Sequence, residues 1–232
     1  SEGSFNRYSS NKRNYLSDAY INFNNRKDSI KNYLDITTGF SYQYWNSESP
    51  NLPVYNASQD SIIYPAAENP FFTENALLSY YTRAIYNFND RYVFNAALRR
   101  DGSSRFSPAA RWGLFPSLSA AWIISGEKFM KNFNSINLLK VRFGYGVTGQ
   151  QDGIGDYAYI SNYYEGTSTA QYSFGSDFYY VYRPGAFDAN LKWEETLSYN
   201  LGVDFGLFND RISGSLDFYQ KETKDLLATV AV

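Results

Sequence analysis

Hydrophobic and polar residues alternate strictly along the segment from Leu197 to Leu207. The odd-numbered residues of this segment are apolar, and the even-numbered residues are small or polar. Successive side chains of a β-strand point to opposite faces, so the pattern predicts a strand with one apolar face and one polar face. The length of the segment matches the roughly 9–11 residues that a tilted strand needs to cross a bilayer.

The same alternation recurs along the chain and predicts eight strands. Aromatic residues lie near several strand ends, where amphipathic rings suit the two interfaces of a membrane. The expected fold is all-β, an antiparallel up-and-down wall of a transmembrane β-barrel. The candidate strands are Tyr15–Phe23, Tyr33–Trp45, Leu77–Phe88, Tyr92–Arg99, Leu114–Ile124, Leu139–Thr148, Leu197–Leu207 and Ile212–Tyr219.

The alternation also predicts which way side chains face. A basic residue facing lipid near the bilayer centre costs about 2–4 kcal/mol, so charges belong on the face that lines the interior. We expect the lipid-facing set to include Leu139, Val141, Phe143, Leu197, Tyr199, Leu201, Val203 and Phe205. We expect the polar, lumen-facing set to include Arg83, Arg99, Asp101, Lys140, Arg142, Asp204 and Asp217. A soluble sandwich would also keep its charged residues off the apolar face of each strand. The charges alone therefore indicate only that one face of the sheet is buried.

The connections between the strands alternate in length, which favours the membrane wall over a soluble sandwich. Transmembrane barrels keep periplasmic turns short and extracellular loops long. Two tight hairpin turns are indicated by Asn89-Asp90 and Asn209-Asp210, both inside the phrase Phe-Asn-Asp-Arg. The other short connections are Asn24–Lys31 and Gly126–Asn132, the second predicted as one helical turn. The longer connections are Asn46–Asn75, Arg100–Arg111 and Gly149–Glu195.

Composition lowers the expectation of catalysis. The 232 residues include no His and no Cys, and the formal net charge is −2. The usual general base, the thiol nucleophile and the commonest zinc ligands are therefore missing. The charge favours no nucleic-acid partner, and we expect no cofactor, no metal and no enzymatic activity. The first residues, Ser1–Ser4, do not form a signal peptide, so an exported protein would have lost its signal or begin upstream.

Four segments carry candidate chemistry. Glu194-Glu195 is an acid pair, but adjacent strand residues face opposite ways and cannot flank one glycosidic bond. The segment Asp152–Asp156 lacks the full ligand set of a calcium loop, so a flexible turn is favoured. The arginines around Asp101 suit the lining of a binding mouth, but the favoured interpretation is that they and Asp101 tie a hairpin together in the lumen. The Tyr157–Tyr182 loop is rich in tyrosine, which suits contact with a partner protein or a sugar, or packing of the loop on itself. The candidate contact residues are Tyr163, Tyr164, Tyr179, Tyr180 and Tyr182.

Several phrases, taken together and in this order, resemble the SusC/RagA-like TonB-dependent outer-membrane transporters of Bacteroidota. The resemblance covers about Leu77 to Leu227, and the first seventy or so residues fit only as generic barrel wall. The phrases are Arg100–Phe106 (RDGSSRF), Arg111–Ser119 (RWGLFPSLS), Glu127–Met130 (EKFM), Leu139–Gln150 (LKVRFGYGVTGQ), Asn190–Glu194 (NLKWE) and Phe205–Leu227 (FGLFNDRISGSLDFYQKETKDLL).

The resemblance implies an importer in the bacterial outer membrane, with an N-terminal plug inside a barrel of about 22 strands. It also implies a SusD-like lipoprotein over the extracellular mouth, energy from the TonB complex, and oligosaccharides or peptides as substrates. Nothing in the chain matches the plug or the segment that TonB grips. We therefore expect residues 1–232 to be a partial barrel domain, about a third of one, with the plug and the remaining strands elsewhere.

Two other interpretations stay open at this point. One is a complete eight-stranded outer-membrane barrel that acts as an adhesin or structural anchor, since eight strands can close with a filled interior. The other is a soluble, aromatic-rich β-sandwich that binds polysaccharide.

Overall fold

The computed structural model describes residues 3–26, 31–66, 69–166, 169–185 and 187–228. Within them, eight long strands form one antiparallel sheet, and each strand pairs with its neighbours in the sequence. All eight predicted strands are confirmed, in the predicted up-and-down order. They are β1 (Asn11–Asn24), β2 (Tyr33–Ser49), β3 (Phe71–Phe88), β4 (Tyr92–Ser103), β5 (Trp112–Ile123), β6 (Ile136–Gln150), β7 (Glu194–Leu207) and β8 (Ile212–Lys224).

Short elements occupy the connections. Two 3₁₀ helices follow β5, which confirms the helical turn expected there. Two short ladders lie within the connection from β6 to β7, and a small three-stranded sheet combines a segment before β1 with two segments of the connection from β2 to β3. The 3₁₀ helices are Ile124–Gly126 and Lys128–Asn132; the paired short strands are Tyr163–Glu165 with Tyr182–Pro184, Gln171–Phe174 with Asp177–Tyr180, and Val54–Asn56 with both Ser4–Phe5 and Ile62–Tyr64.

The connections group at two ends of the sheet, as expected. The turns after β1, β3, β5 and β7 lie at one end, called the short-turn end, and those after β2, β4 and β6 lie at the other, called the long-loop end. The sequence-based boundaries were wrong mainly at the long-loop end, where every strand continues beyond its predicted limit. The alternation of lengths is also imperfect, because the 124–135 connection is longer than the 104–111 connection.

The two copies of Phe-Asn-Asp-Arg make different turns. Asn89 and Asp90 have positive φ, and Arg91 N donates to Phe88 O at 3.2 Å, as in a tight hairpin. In the second copy Phe208 itself also has a positive φ of 54°, so the turn begins one residue earlier. In both copies an asparagine from the start of a neighbouring strand, or from the residue just before it, accepts a hydrogen bond from the turn. Asn32 Oδ1 accepts from Asn89 N, and Asn137 Oδ1 accepts from Asn209 N, at 2.7 and 2.8 Å.

The strand register joins the apolar stripes of neighbouring strands into one apolar face. Leu201 lies opposite Phe143 on β6 and Phe218 on β8, and Phe143 lies opposite Ala120 on β5. These rings and aliphatic chains are exposed: Leu201 and Phe143 are each 48% accessible, and Phe218 is 68% accessible. The described residues therefore place no second layer over this face.

The opposite, polar face of the sheet buries polar residues, whereas a soluble protein buries mainly apolar ones. The buried polar residues Ser79, Asn87, Asp101 and Ser103 lie on this face, while large apolar residues are exposed on the other. Soluble proteins rarely expose so large a continuous apolar surface. The arrangement fits a wall with hydrocarbon outside and polar groups inside.

The apolar face has a limited height. Counting from the short-turn end, this face carries no charged residue up to Tyr44 on β2 and Leu98 on β4, and charges begin only beyond those positions. Arg100 is one of them, and its guanidinium lies over the Trp112 ring, 4.8 Å from the centroid. The other charges on this face near the long-loop end are Arg13, Glu48, Glu74, Glu195, Glu222 and Lys224. A charge-free band between polar margins matches the hydrophobic layer of a bilayer.

An aromatic row marks the lower margin of the band. The rings of Tyr86, Phe88, Tyr92 and Trp122 follow one another on the apolar face, with centroids 6.0 to 6.4 Å apart. Such rows occur at the interfaces of membrane barrels.

The sheet is open. β1 and β8 are its two edges, and no ladder joins them within the described residues. This differs from a closed eight-stranded barrel, and the uncovered apolar face differs from a sandwich, so neither alternative describes the structure. No helix among the described residues is long and apolar enough to cross a membrane.

The facing of the strands is testable with one pair of neighbouring positions. We expect Leu201→Arg or Phe143→Arg to reduce the amount of assembled protein in the outer membrane, because each places a cation in the apolar band at a cost of about 2–4 kcal/mol. Asn200→Arg should be milder, because Asn200 lies on the polar face. Membrane-fraction yield and heat-modifiable gel migration measure the effect. Equal losses for substitutions on the apolar and the polar face would contradict the assigned facing of the strands.

Candidate functional site

The polar face of β6, β7 and β8 carries a connected group of charges. Arg142 donates to both oxygens of Asp204, from Nε at 2.9 Å and from Nη2 at 2.8 Å. The same Nη2 lies 3.2 Å from Asp217, and Lys140 Nζ lies 3.6 Å from Asp204. Four residues assigned from the sequence to the interior therefore form one ion-pair network.

Gly202 makes this network sterically feasible. It lies in register between Arg142 and Asp217, on the middle of the three strands. A Cβ built at Gly202 would lie 2.7 Å from Arg142 Cζ and 2.7 Å from Asp217 Oδ1. Any side chain at this position would displace the guanidinium that bridges the strands.

A second ion pair lies on β4 nearer the long-loop end, and a hydrogen bond links it to β3. Arg99 Nε donates to both oxygens of Asp101 at 2.7 and 2.9 Å, and Arg99 Nη2 donates to Ser79 Oγ at 2.9 Å. Asp101 and Ser79 are both buried. The expected structural role of the arginines around Asp101 agrees with this geometry for Arg99, whereas Arg100 points to the opposite face.

Three aromatic residues form a small buried core at the long-loop end, called the loop core. Phe106 from the β4–β5 connection and Phe115 from β5 both pack on Trp193, with centroids 4.9 and 5.3 Å away. Trp193 Nε1 also donates to Arg111 O at 3.0 Å. The loop core lies on the polar face, because Phe115 shares that face with Arg99.

Glycine backbone makes room for the loop core. Cβ atoms built at Gly113 and Gly149 would lie 2.3 and 2.1 Å from Phe115 Cζ, so the ring occupies the space that side chains there would fill. The Phe115 ring thus lies close against the strand backbone and leaves its outer side to Trp193. These contacts hold two connections over the polar face.

Ion pairs fasten the first part of the long β6–β7 connection. Arg105 Nε donates to Asp156 Oδ1 at 2.9 Å, and Asn75 Nδ2 donates to the same oxygen at 3.0 Å. Arg105 Nη1 also lies 3.7 Å from Asp152. Both carboxylates of the 152–156 segment therefore pair with Arg105, and the segment is tied to β3 and to the β4–β5 connection.

A cavity of about 620 Å³ opens on the polar face beside the loop core. Its walls include Arg83 and Arg99 from the sheet, Asp101, and the aromatic residues Phe115 and Trp193. Its volume falls within the roughly 300–1,000 Å³ typical of ligand pockets. Polar and aromatic groups thus converge in one space at the long-loop end.

The tyrosine-rich part of the β6–β7 connection forms two successive short antiparallel ladders, together called the tyrosine hairpin (residues 163–184 apart from 167–168). Gln171–Phe174 and Asp177–Tyr180 form its tip, and Tyr163–Glu165 and Tyr182–Pro184 form its base. The candidate residues Tyr163, Tyr164, Tyr179, Tyr180 and Tyr182 all lie here, 46% to 67% exposed. The rings are presented to solvent rather than packed into a core of the loop.

At the short-turn end, the Glu127 carboxylate accepts hydrogen bonds from three neighbouring side chains. Glu127 accepts hydrogen bonds from Arg91 Nη1 and Tyr92 OH, both at 2.7 Å, and from Trp122 Nε1 at 3.2 Å. The hydrogen bonds from Tyr92 and Trp122, together with the Arg91 charge, lower the pKa of the Glu127 carboxyl below its ordinary value. Glu127 thereby ties the β5–β6 connection to β4 and β5.

Sequence reasoning did not single out the loop core or the role of Arg105. Phe106, Arg105 and Trp193 do lie inside the phrases RDGSSRF and NLKWE, which carry the family resemblance. Their contact depends on two connections meeting over the sheet, which no local pattern encodes. Glu194 and Glu195 lie at the start of β7, and Glu194 Oε2 accepts from Leu227 N at 2.9 Å. Among the described residues no cluster of His, Cys, Asp and Glu suits a metal ion.

The sequence and the fold match one family of proteins. The whole chain, residues 1–232, matches the model described as TonB dependent receptor-like, beta-barrel. The TonB-dependent receptor SusC of Bacteroides thetaiotaomicron is 46% identical over 165 residues, which are 71% of this chain and 16% of that protein. The TonB-dependent receptor P39 of Formosa agariphila is 35% identical over 226 residues, which are 94% of this chain and 21% of that protein.

A solved structure shares the fold. The structure of the RagAB peptide transporter superposes with a TM-score of 0.74 at 23% identity, and the match covers 97% of this chain and 25% of that chain. The chain therefore spans a quarter or less of the proteins to which it is similar here.

The loop core can be tested by truncating one ring. We expect Trp193→Ala to release the β6–β7 connection, because removing a buried Trp side chain typically costs about 3–5 kcal/mol. Limited proteolysis of the assembled protein should then cleave within residues 151–193 at lower protease concentration. Phe178→Ala in the exposed hairpin is the control and should leave that threshold unchanged. An unchanged threshold for Trp193→Ala would show that the ring does not hold the connection.

The Glu127 carboxylate predicts a pH dependence of stability. Because its pKa is lower in the folded state than in the unfolded chain, its contribution is present above the ordinary Glu value of about 4.3 and is lost as the pH falls through the folded value. Thermal unfolding in detergent should show Glu127→Gln less stable than the unmodified protein at pH 7, with the gap closing toward pH 3. Glu165→Gln should show no such gap, and a gap independent of pH would contradict the electrostatic role of Glu127.

Proposed function

This chain belongs to the TonB-dependent receptor-like β-barrel family, and we propose that it forms part of the barrel wall of a SusC/RagA-type outer-membrane importer. The importer carries oligosaccharides or peptides across the bacterial outer membrane with energy from the TonB complex. The wall itself is passive, and contact with TonB belongs to parts of the receptor outside these residues. No step of this function requires catalysis by the chain.

One observation carries the proposal: the polarity of the sheet is inverted. An uncovered apolar band lies on one face, and ion pairs, buried polar residues and a cavity lie on the other. A wall between lipid and a wet interior needs this distribution, and a soluble binding module does not. The lipid-facing and lumen-facing residue sets assigned from the sequence are part of this proposal.

The open edges support a larger barrel. β1 and β8 are long, regular and exposed along their whole length. Backbone groups left unpaired in hydrocarbon cost several kcal/mol each, so both edges require neighbouring strands in the membrane. Further strands of the receptor are the natural partners, together with the plug that the family resemblance implies.

The tyrosine hairpin is the proposed contact with a SusD-like surface lipoprotein. It lies at the long-loop end, which is extracellular in a wall of this kind. Tyrosine offers a rigid, amphipathic surface at low entropic cost, and this residue type is enriched in protein interfaces. The exposed rings of Tyr179, Tyr180 and Tyr182 are the residues on which this contact depends most.

Transport is tested with the whole receptor in its own host. Deleting its gene should abolish growth on, and uptake of, an oligosaccharide or peptide supplied as sole nutrient, and restoring the gene should recover both. Dissipating the proton-motive force should stop uptake within minutes, since TonB coupling requires it. Uptake that survives either treatment for every nutrient supplied would refute the importer.

The partner contact is tested by substitution. The triple variant Tyr179→Ala, Tyr180→Ala, Tyr182→Ala should lower co-purification of the lipoprotein encoded with the receptor by about tenfold or more, because interface tyrosines are frequent hot spots worth about 2 kcal/mol or more each. Tyr64→Ala changes an equally exposed ring outside the hairpin and should have no effect. Undiminished co-purification of the triple variant, with normal receptor yield, would exclude this surface.

A further inference from the structure

The cavity beside the loop core combines aromatic surface with hydrogen-bonding groups. Phe115 and Trp193 supply aromatic walls, and Ser117, Thr148 and Gln150 supply hydroxyl and amide groups. The opening lies on the polar face, on the path that a solute would follow along the wall. Its shape and lining suit one or two units of an extended polar ligand.

The charges around this cavity are paired with one exception. Asp101 accepts from Arg99, and Asp152 lies within ion-pair distance of Arg105. Arg83 also lines the cavity, and its Nε donates to the neutral side chain of Asn95 at 3.1 Å. No carboxylate of the described residues forms an ion pair with Arg83 within 4.0 Å.

The position of Arg83 leaves its two terminal nitrogens available. Arg83 projects from β3 on the polar face, opposite Ala97 on β4 and Thr37 on β2. The small Ala97 side chain leaves space above β4, between Arg83 and the rest of the cavity. An unpaired guanidinium in a concave site is a ready donor pair for a planar anion.

We propose that this cavity is a ligand subsite selective for carboxylate-bearing chains, with Arg83 holding the carboxylate and the polar groups of Ser117, Thr148 and Gln150 binding the adjoining unit. The proposal rests on the proposed import function and specifies its substrate class. A uronic acid unit of an oligosaccharide and an acidic residue of a peptide both present this chemistry. A neutral unit would leave the Arg83 charge unpaired in the filled cavity.

The test uses the complete receptor in detergent and two matched pairs of probes. The first pair is trigalacturonic acid and its methyl ester. The second is a pentapeptide with blocked termini that has glutamate or glutamine at its centre. At least one carboxylated probe should bind the unmodified receptor about tenfold more tightly than its neutral counterpart, because only a carboxylate pairs with the guanidinium of Arg83. Titration calorimetry at low salt measures this ratio, and raising the salt should reduce it.

Two arginine variants separate the site from general charge effects. Arg83→Gln should bring the ratio to about one, because it removes the cation that pairs with the carboxylate. Arg211→Gln removes a cation from the β7–β8 connection at the opposite end and should keep the ratio. A preference shown by the galacturonic acid pair indicates a saccharide ligand, and a preference shown by the pentapeptide pair indicates a peptide ligand.

The outcomes that overturn the subsite are specific. They are equal binding of charged and neutral probes to the unmodified receptor, no binding of any carboxylated probe up to millimolar concentration, or a preference that survives in Arg83→Gln. Energy-dependent uptake of neutral nutrients alongside any of these would leave the importer intact and remove the subsite. A charge preference without uptake would instead remove the importer.

Discussion

Backbone hydrogen bonding in hydrocarbon is the constraint on which the structure depends. A peptide group that faces lipid has no water to satisfy it, so each strand must be paired along both edges wherever it crosses the membrane. Six of the eight strands, β2 to β7, meet this requirement within the described sheet, and the two edge strands meet it only with neighbours. Regular pairing then leaves the side chains to decide which face meets lipid. The strict alternation around Leu201 is the direct consequence, since a register shift of one residue would exchange the faces.

The interior does not need a hydrophobic core to hold the wall together. The buried aromatic cluster of the described residues is confined to Phe106, Phe115 and Trp193, and it serves to hold connections rather than strands. Across the strands the polar face relies on groups such as Arg142 with Asp204 and Asp217. Such ion pairs gain little in water, but they satisfy charges that could not be placed on the other face. Several charges of this face pair in this way, whereas Arg83, like Asp18 and Asp35, forms its side-chain hydrogen bond with a neutral group.

The sequence predicts the strands where lipid imposes alternation and fails where that constraint ends. The letters Arg-Asp-Gly-Ser predict a loop at residues 100–103, yet these residues continue β4 with ordinary ladder pairing. Outside the apolar band both faces meet water or polar groups, so the strands continue without a period-two signature. The tyrosine hairpin was missed for a related reason. In Phe178-Tyr179-Tyr180 both faces of the ribbon carry rings, so the pattern resembles a generic aromatic loop. The loop core required knowledge of which connections meet, which local pattern does not contain.

The two Phe-Asn-Asp-Arg turns show how neighbouring strands decide detail that a motif leaves open. Both phrases provide Asn-Asp for left-handed backbone, yet only the second also places its Phe there. The difference lies in what each turn meets: Phe208 N donates to Ser135 O at 2.8 Å, while Phe88 stays in the β3–β4 ladder opposite Tyr92. A longer β5–β6 connection brings the Ser135 carbonyl beside the second turn, and that hydrogen bond offsets the strain of a positive φ at a bulky residue. The motif thus specifies that the chain reverses, and the adjoining strand specifies where the reversal begins.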